Sequence, residues 1–153
     1  MSRYAPWLSL VGRLILGGTL LAAGILKVSH PYTSAAAVRA YRLLPNSLAN
    51  LIGYTLPWVE IGISLALILG LGVRISSAIT GILMVAFIIG VGSAWARGLT
   101  IDCGCFGGGG QVARGATKYW QEIVRDLGLT LIAGFLIWQP NSKFAMGETK
   151  RAI

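Results

Sequence analysis

Four long apolar blocks, separated by short polar connections, limit what this chain can become. They cover about residues 7–26, 51–73, 75–95 and 119–138 of 153. A helix that crosses a hydrocarbon core of about 30 Å needs about 20 mostly apolar residues, and each block meets that length. The apolar residues run in blocks rather than at the spacing of a single core-facing stripe, which points to membrane spans. Only 12% of the residues are charged and 55% are hydrophobic, roughly half the charged share of a soluble domain. The mean hydropathy is +0.71. The expected fold is all-α: an integral membrane four-helix bundle, one membrane domain over residues 1–153, with a short interfacial helix between spans 1 and 2.

Thirteen Lys and Arg stand against five Asp and Glu, a formal net charge of +8. In a soluble chain that excess would raise nucleic acid as a partner. Here the basic residues sit between and beside the apolar spans, and no groove-reading motif accompanies them. The lipid bilayer, with its anionic headgroups, is the expected partner, and nucleic acid is not.

Span 1 opens at Pro6-Trp7, the indole suiting the interfacial belt. Arg13 lies six residues inside that boundary, about 9 Å at helical rise, within reach of the surface by snorkelling. Gly18 and Ala22 form a small-xxx-small pair that permits a homodimer or a place in a redox complex. A cleaved signal peptide is the other reading of this segment. The run is long, and Ala22-Ala23-Gly24 continues into Ile-Leu-Lys, so a retained helix is expected.

His30-Pro31 breaks the helix, and Thr33 or Ser34 is expected to cap a short one. Val38, Tyr41 and Leu44 recur there at helical spacing with Arg39 and Arg42 alongside, as in a helix lying in the headgroup plane. The apolar region from Leu48 to Val73 is too long for one straight crossing. Pro57 either kinks it or opens the true span. Gly70-Leu71-Gly72-Val73-Arg74 is a tight return that makes spans 2 and 3 an antiparallel hairpin. Span 4 begins near Thr117 and carries Glu122, Arg125 and Asp126 in its first turns, so it starts in water or in a polar crevice. Trp58, Trp95, Trp120 and Trp138 suit belt positions.

The connection from Arg97 to Ala116 holds both cysteines, one residue apart, in Asp102-Cys103-Gly104-Cys105-Phe106-Gly107, followed by three more glycines. Two thiols this close form a small-ring disulfide, share an ion, or cycle between dithiol and disulfide. A ring of that size is poorly placed to reach relaxed disulfide geometry, which favours a labile bond over a structural one. A cross-link closing so short a loop would also stabilise little. The pair is therefore read first as a redox dithiol. Two thiolates could alternatively hold a soft ion such as Cu(I), though zinc would need two further ligands. His30, the single histidine, is read as a turn residue. Asp102 would make a neighbouring thiol harder to ionise, while Arg97 and Arg114 would ease ionisation if they fold over the loop.

These residues resemble the methylamine-utilisation MauE family, within the broader DoxX-like membrane proteins. The resemblance rests on Asp102-Cys103-Gly104-Cys105-Phe106-Gly107. Weaker matches are Ala23-Gly24-Ile25-Leu26-Lys27, Tyr41-Arg42-Leu43-Leu44-Pro45, Leu56-Pro57-Trp58-Val59-Glu60 and Arg125-Asp126-Leu127. It covers roughly Leu14 to Trp138. It implies a four-helix protein of thiol–disulfide and respiratory electron-transfer chemistry, a possible thiol–disulfide oxidoreductase. That protein would act with a thioredoxin-like partner in maturing disulfide-rich secreted proteins such as methylamine dehydrogenase.

Glu60 is the one acidic residue well inside an apolar block. A carboxylate there must be protonated, paired or facing a polar cavity. It is a candidate proton acceptor for thiol or quinone chemistry, and a candidate ion-pair partner for Lys27. Arg125 and Asp126 are read as a helix-end charge cluster. The candidate catalytic residues are Cys103, Cys105, Glu60 and Asp102, with no resident metal expected and a membrane quinone as the candidate second redox partner. A non-enzymatic assembly subunit, or a soft-metal-binding membrane protein, is the alternative.

Four spans place both termini on one side. Six basic residues flank that side and seven the other, so the charge rule does not orient the chain. Disulfides persist outside the cytosol. That places the cysteine loop on the extracytoplasmic side of the plasma membrane and the termini in the cytoplasm.

Overall fold

The computed structural model describes residues 3–102, 110, 111, 118–144 and 146. Cys103, Cys105 and Arg114 lie outside the described residues. Five helices follow in order: α1 (Ala5–Ser29), α2 (Pro31–Ala40), α3 (Asn46–Leu69), α4 (Val73–Ala96) and α5 (Tyr119–Trp138). A two-residue antiparallel bridge, β1 (Ile101–Asp102) with β2 (Gly110–Gln111), pairs Ile101 with Gln111 and Asp102 with Gly110. The architecture is an all-helical bundle of four long helices with α2 inserted between the first two. Helices α1, α3 and α4 are long and apolar enough to cross a membrane, while α5 carries Glu122, Arg125 and Asp126 in its first two turns.

The bundle is built from two closely packed pairs, α1 with α3 and α4 with α5. Glycine sets the first. A Cβ on Gly17 would sit 2.9 Å from Ile68 Cγ1 and 3.2 Å from the Ser64 carbonyl, and one on Gly24 would sit 2.7 Å from Ile61 Cγ1. The close approach thus runs along Gly17 and Gly24. Gly18 and Ala22, the pair singled out in the sequence, lie on the outer face, with nothing within 4 Å of a Cβ at Gly18. Leu16, Leu20, Leu67, Met84, Leu129, Ala133 and Leu136 join the two pairs in one apolar core.

The start of α1 and the segment after α5 meet at one end of the bundle. Ser9 Oγ donates to the Gln139 carbonyl at 3.1 Å, and Lys143 Nζ lies 4.5 Å from the Trp7 ring centre. Arg13 is buried there instead of snorkelling outward: it donates to Ser142 Oγ at 2.9 Å and to the Ile68 carbonyl at 3.3 Å. The cation thereby sits at the C-terminal, negative end of α3. The return between α3 and α4 turns on Gly70, at φ 74°, and Gly72, at φ 51°, a left-handed conformation that glycine adopts without a Cβ penalty.

At the opposite end α3 outruns α1. Gly24 faces Pro57 and Ile61, and α1 stops at Ser29, so the first ten or so residues of α3 continue about 15 Å beyond it. Helix α2 continues in the direction of α1 and packs antiparallel along this projecting part. Ala35 meets Gly53 so closely that a Cβ there would lie 2.5 Å from the Ala35 Cα. One turn further, Arg39 Nη1 donates to Asn50 Oδ1. The excess length of the second apolar region is used in this way, within one continuous α3 that holds Pro57 in its interior.

Pro57 has no N–H, so it cannot donate to the carbonyl four residues back, that of Gly53. Ser34 Oγ supplies the missing donor, at 2.8 Å and buried. This corrects the expected cap. Neither Thr33 nor Ser34 caps α2, which starts with Pro31 in its first turn and no side-chain cap. Ser34→Ala should therefore cost about 1–3 kcal/mol, the penalty of an unsatisfied buried carbonyl. In a Pro57→Ala background, where the substituted residue restores the N–H, the same change should cost much less. Equal losses in both backgrounds, read from thermal unfolding in detergent by circular dichroism, would exclude this pairing.

Candidate functional site

The cysteine connection is rooted on the projecting α2 platform. Strands β1 and β2 both pack against α2, and Ile101 is buried. Arg97 holds the approach: its Nη2 donates to the Tyr41 carbonyl and its Nε to Ser93. Tyr119 holds the exit, its hydroxyl donating to the Leu99 carbonyl and its ring stacked on Trp95 with centroids 6.0 Å apart. Arg97, considered above for the thiols, is thus engaged with the turn between α2 and α3. Asp102 takes its place in β1, paired with Gly110.

Helix packing buries charge close to this end. Lys27 and Asp126 fall on the buried stripes of their own helices. In α1 the stripe includes Leu20, Ala23, Gly24 and Lys27; in α5 it is Asp126, Leu129, Ala133 and Leu136. Both intervals are helical periods that point one face inward. Glu60 projects from α3 between them, one turn beyond Pro57, and its Oε1 takes a 2.7 Å ion pair from Lys27 Nζ. Neither partner is more than 4% exposed. The Lys27 ammonium also stands 5.2 Å from the Phe87 ring centre, a cation–π contact with α4.

Arg125 grips Asp126 from the next position in sequence. Its Nε and Nη2 donate to Asp126 Oδ1 at 3.0 and 2.8 Å, and its Nη1 pairs with Glu122 at 2.6 Å. Arg125 remains about a quarter exposed while Asp126 is buried. Lys27, Glu60, Arg125 and Asp126 line one cavity of about 20 Å³, together with Thr19 and apolar side chains of α1, α4 and α5. Glu60 Oε2 and Asp126 Oδ2 are buried and have no hydrogen-bond partner among the described residues.

The structure thus brings Glu60 together with Lys27 and with Asp126, which by sequence alone reads as a helix-end charge. The signal for its burial is the spacing of Asp126 from Leu129, Ala133 and Leu136, which puts the carboxylate on the buried face. His30 is exposed at the end of α1, its Nδ1 3.3 Å from the Leu26 carbonyl. No group of three or more His, Cys, Asp or Glu side chains that could hold a metal ion occurs among the described residues. The cavity has the volume of about one water.

Fold and site together define a helical membrane protein with a buried ion-pair cluster close to the root of its cysteine-bearing connection. Residues 5–139 match the model of the methylamine utilisation protein MauE family, and the chain belongs to that family. It is 38% identical over 120 residues to the methylamine utilization protein MauE of Methylorubrum extorquens, covering 78% of this chain and 62% of that one. Its counterpart in Paracoccus denitrificans is 31% identical over 123 residues, 79% of this chain and 63% of the other. The protein of the same name in Methylophilus methylotrophus is 30% identical over 101 residues, 65% and 53% respectively. The matched part thus spans less than two thirds of each relative's length. No solved structure matches the chain.

Removing one member of a buried pair leaves the other charge uncompensated, at a cost of about 3–5 kcal/mol, whereas exchanging both for apolar residues of similar size is often neutral. Lys27→Met should lower stability by that order, and the double variant K27M/E60M should recover most of the loss. Unfolding of the purified protein in detergent, for parent, single and double variants, reads this directly. A K27M chain as stable as the parent would mean that the pair contributes nothing to holding α1 on α3.

Proposed function

We propose that this protein is a membrane thiol–disulfide carrier whose Cys103 and Cys105 exchange electrons with an extracytoplasmic, thioredoxin-like protein. The observation that carries this reading is the paired-cysteine run Asp102-Cys103-Gly104-Cys105-Phe106-Gly107 in a chain of the MauE family. The anchoring of both ends of the connection at α2 supports it, since a thiol pair that must meet another protein is best presented off the end of the bundle.

One thiolate attacks the partner's disulfide, forming a mixed disulfide and releasing a partner thiolate. The second cysteine then attacks that mixed bond, closing the Cys103–Cys105 disulfide and releasing the partner as a dithiol. Two electrons have moved to the partner, and the reverse sequence oxidises it. Reoxidation of this chain's dithiol by a non-thiol acceptor removes two electrons and two protons. A membrane quinone is the acceptor class that takes both and becomes a quinol. Glu60 is the proton-accepting group of the bundle, and Asp102 adjusts how readily the neighbouring thiol ionises. The names of the relatives suggest the setting, the utilisation of methylamine, and the plasma membrane is the location proposed here. Maturation of a disulfide-rich secreted protein such as methylamine dehydrogenase is the role proposed there.

Intact cells treated with a membrane-impermeant maleimide should label Cys103 and Cys105 only after prior reduction. The variant C103S/C105S should insert normally and lose exchange with a thioredoxin-like protein. Labelling without reductant, together with bound copper or zinc on the purified protein, would replace the exchange reading with metal binding. Labelling only after lysis would put the loop in the cytoplasm, and full function of the double-serine variant would favour an assembly subunit.

A further inference from the structure

Two buried carboxyl groups, from helices on opposite sides of the bundle, each leave one oxygen without a donor and line the same small cavity. Glu60 on α3 is fully buried and commits only Oε1, to Lys27. Asp126 on α5 is 1% exposed and commits Oδ1, to Arg125. The space of about 20 Å³ is sufficient for one water, which needs about 10–15 Å³ and several polar partners. A water carries two O–H donors, one for each open oxygen.

We propose that Glu60 and Asp126 form a two-station proton relay joined by a single water, with Asp126 the second proton-carrying residue of this protein. The proposal rests on the reading of Glu60 as a proton acceptor and adds its exchange partner. Ionisable side chains placed inside membrane bundles and facing a cavity commonly mark such relays.

Every charged group facing the cavity has a part. Lys27 from α1 neutralises Glu60, and Arg125 from α5 neutralises Asp126 while pairing with Glu122 on its other side. Helix α4 contributes only Met84 and Phe87, an apolar wall on that side of the gap. A proton entering the relay forms one O–H bond on an open carboxylate oxygen. It passes on when that bond breaks as a water O–H re-forms and the water's other proton joins the second carboxylate. No electrons move, and no co-reactant is consumed. Asp126 lies seven residues into α5, about 10 Å from its start, so the relay sits nearer the end of the bundle at which α5 begins.

The test uses the C103S/C105S chain in lipid nanodiscs, so that loss of thiol chemistry cannot mimic loss of the relay. Infrared difference spectra across a pH series report protonated carboxyl groups, and the amide band of the same spectra reports the helices. A pH-dependent carboxyl band sensitive to deuterium exchange is expected. E60Q and D126N should each remove part of it and move the midpoint of what remains by about one pH unit, a tenfold change in proton affinity. Ala23→Leu keeps both acids and fills the cavity with apolar carbon, so it should abolish that mutual shift. If D126N leaves the band and midpoint of Glu60 untouched with the helices intact, the relay is overturned while Glu60 stands as a lone proton acceptor. Absence of any pH-dependent carboxyl band overturns both readings.

Discussion

The ion pair between Lys27 and Glu60 is the contact on which the arrangement of this bundle depends. Either charge alone would be costly in an apolar helix, and the 2.7 Å contact is available only because α1 and α3 nearly touch. Gly24 permits the approach, since a Cβ there would lie 2.7 Å from Ile61 Cγ1 and 3.1 Å from the Pro57 carbonyl. Shift the register by one residue and the ammonium leaves the carboxylate. The pair therefore sets how far α3 runs past α1, and with it the height of the platform on which β1 and β2 sit.

The two ends of the bundle are secured by different chemistry. At the terminal end, Arg13 and Ser9 reach across to the ends of α3 and α5 and the segment beyond, satisfying polar groups that a helix terminus leaves open. At the loop end, hydrogen bonds from Arg97 and Tyr119 hold the segments that enter and leave the cysteine connection. Between them the contacts are largely apolar, broken among the described residues by a charged cavity. Rigid ends and a polar gap in the middle are what a protein needs if it holds reactive groups in place at its edge and exchanges protons within.

Much of this is legible in the sequence, because a chain in lipid has few options. Block length and composition specify helices, and their number and the short turn at Gly70–Gly72 specify an antiparallel neighbour. Glu60 stands out by being acidic in an apolar run, and Lys27 is at the right place to meet it. What the residues do not reveal is which side chains share a level in the bundle. Ser34 reads as a helix cap because serine before a helix usually is one. Its use as the donor that replaces the missing N–H of Pro57 depends on the packing of α2 along α3, which only the structure defines. Asp126 reads as a solvated helix start until the buried spacing of Leu129, Ala133 and Leu136 is traced back to it.

The two buried acids also differ in where their counter-charges come from, and that difference bears on how the protein is made. Asp126 arrives with a cation in the adjacent residue, one it shares with Glu122. Glu60 has no such neighbour, and its cation lies 33 positions earlier in the chain. Because α1 precedes α3 in the chain, Lys27 is always made before Glu60, and the acid follows its base into the fold. Chain order thus spares the membrane an unpaired carboxylate at the step where one would be hardest to accommodate.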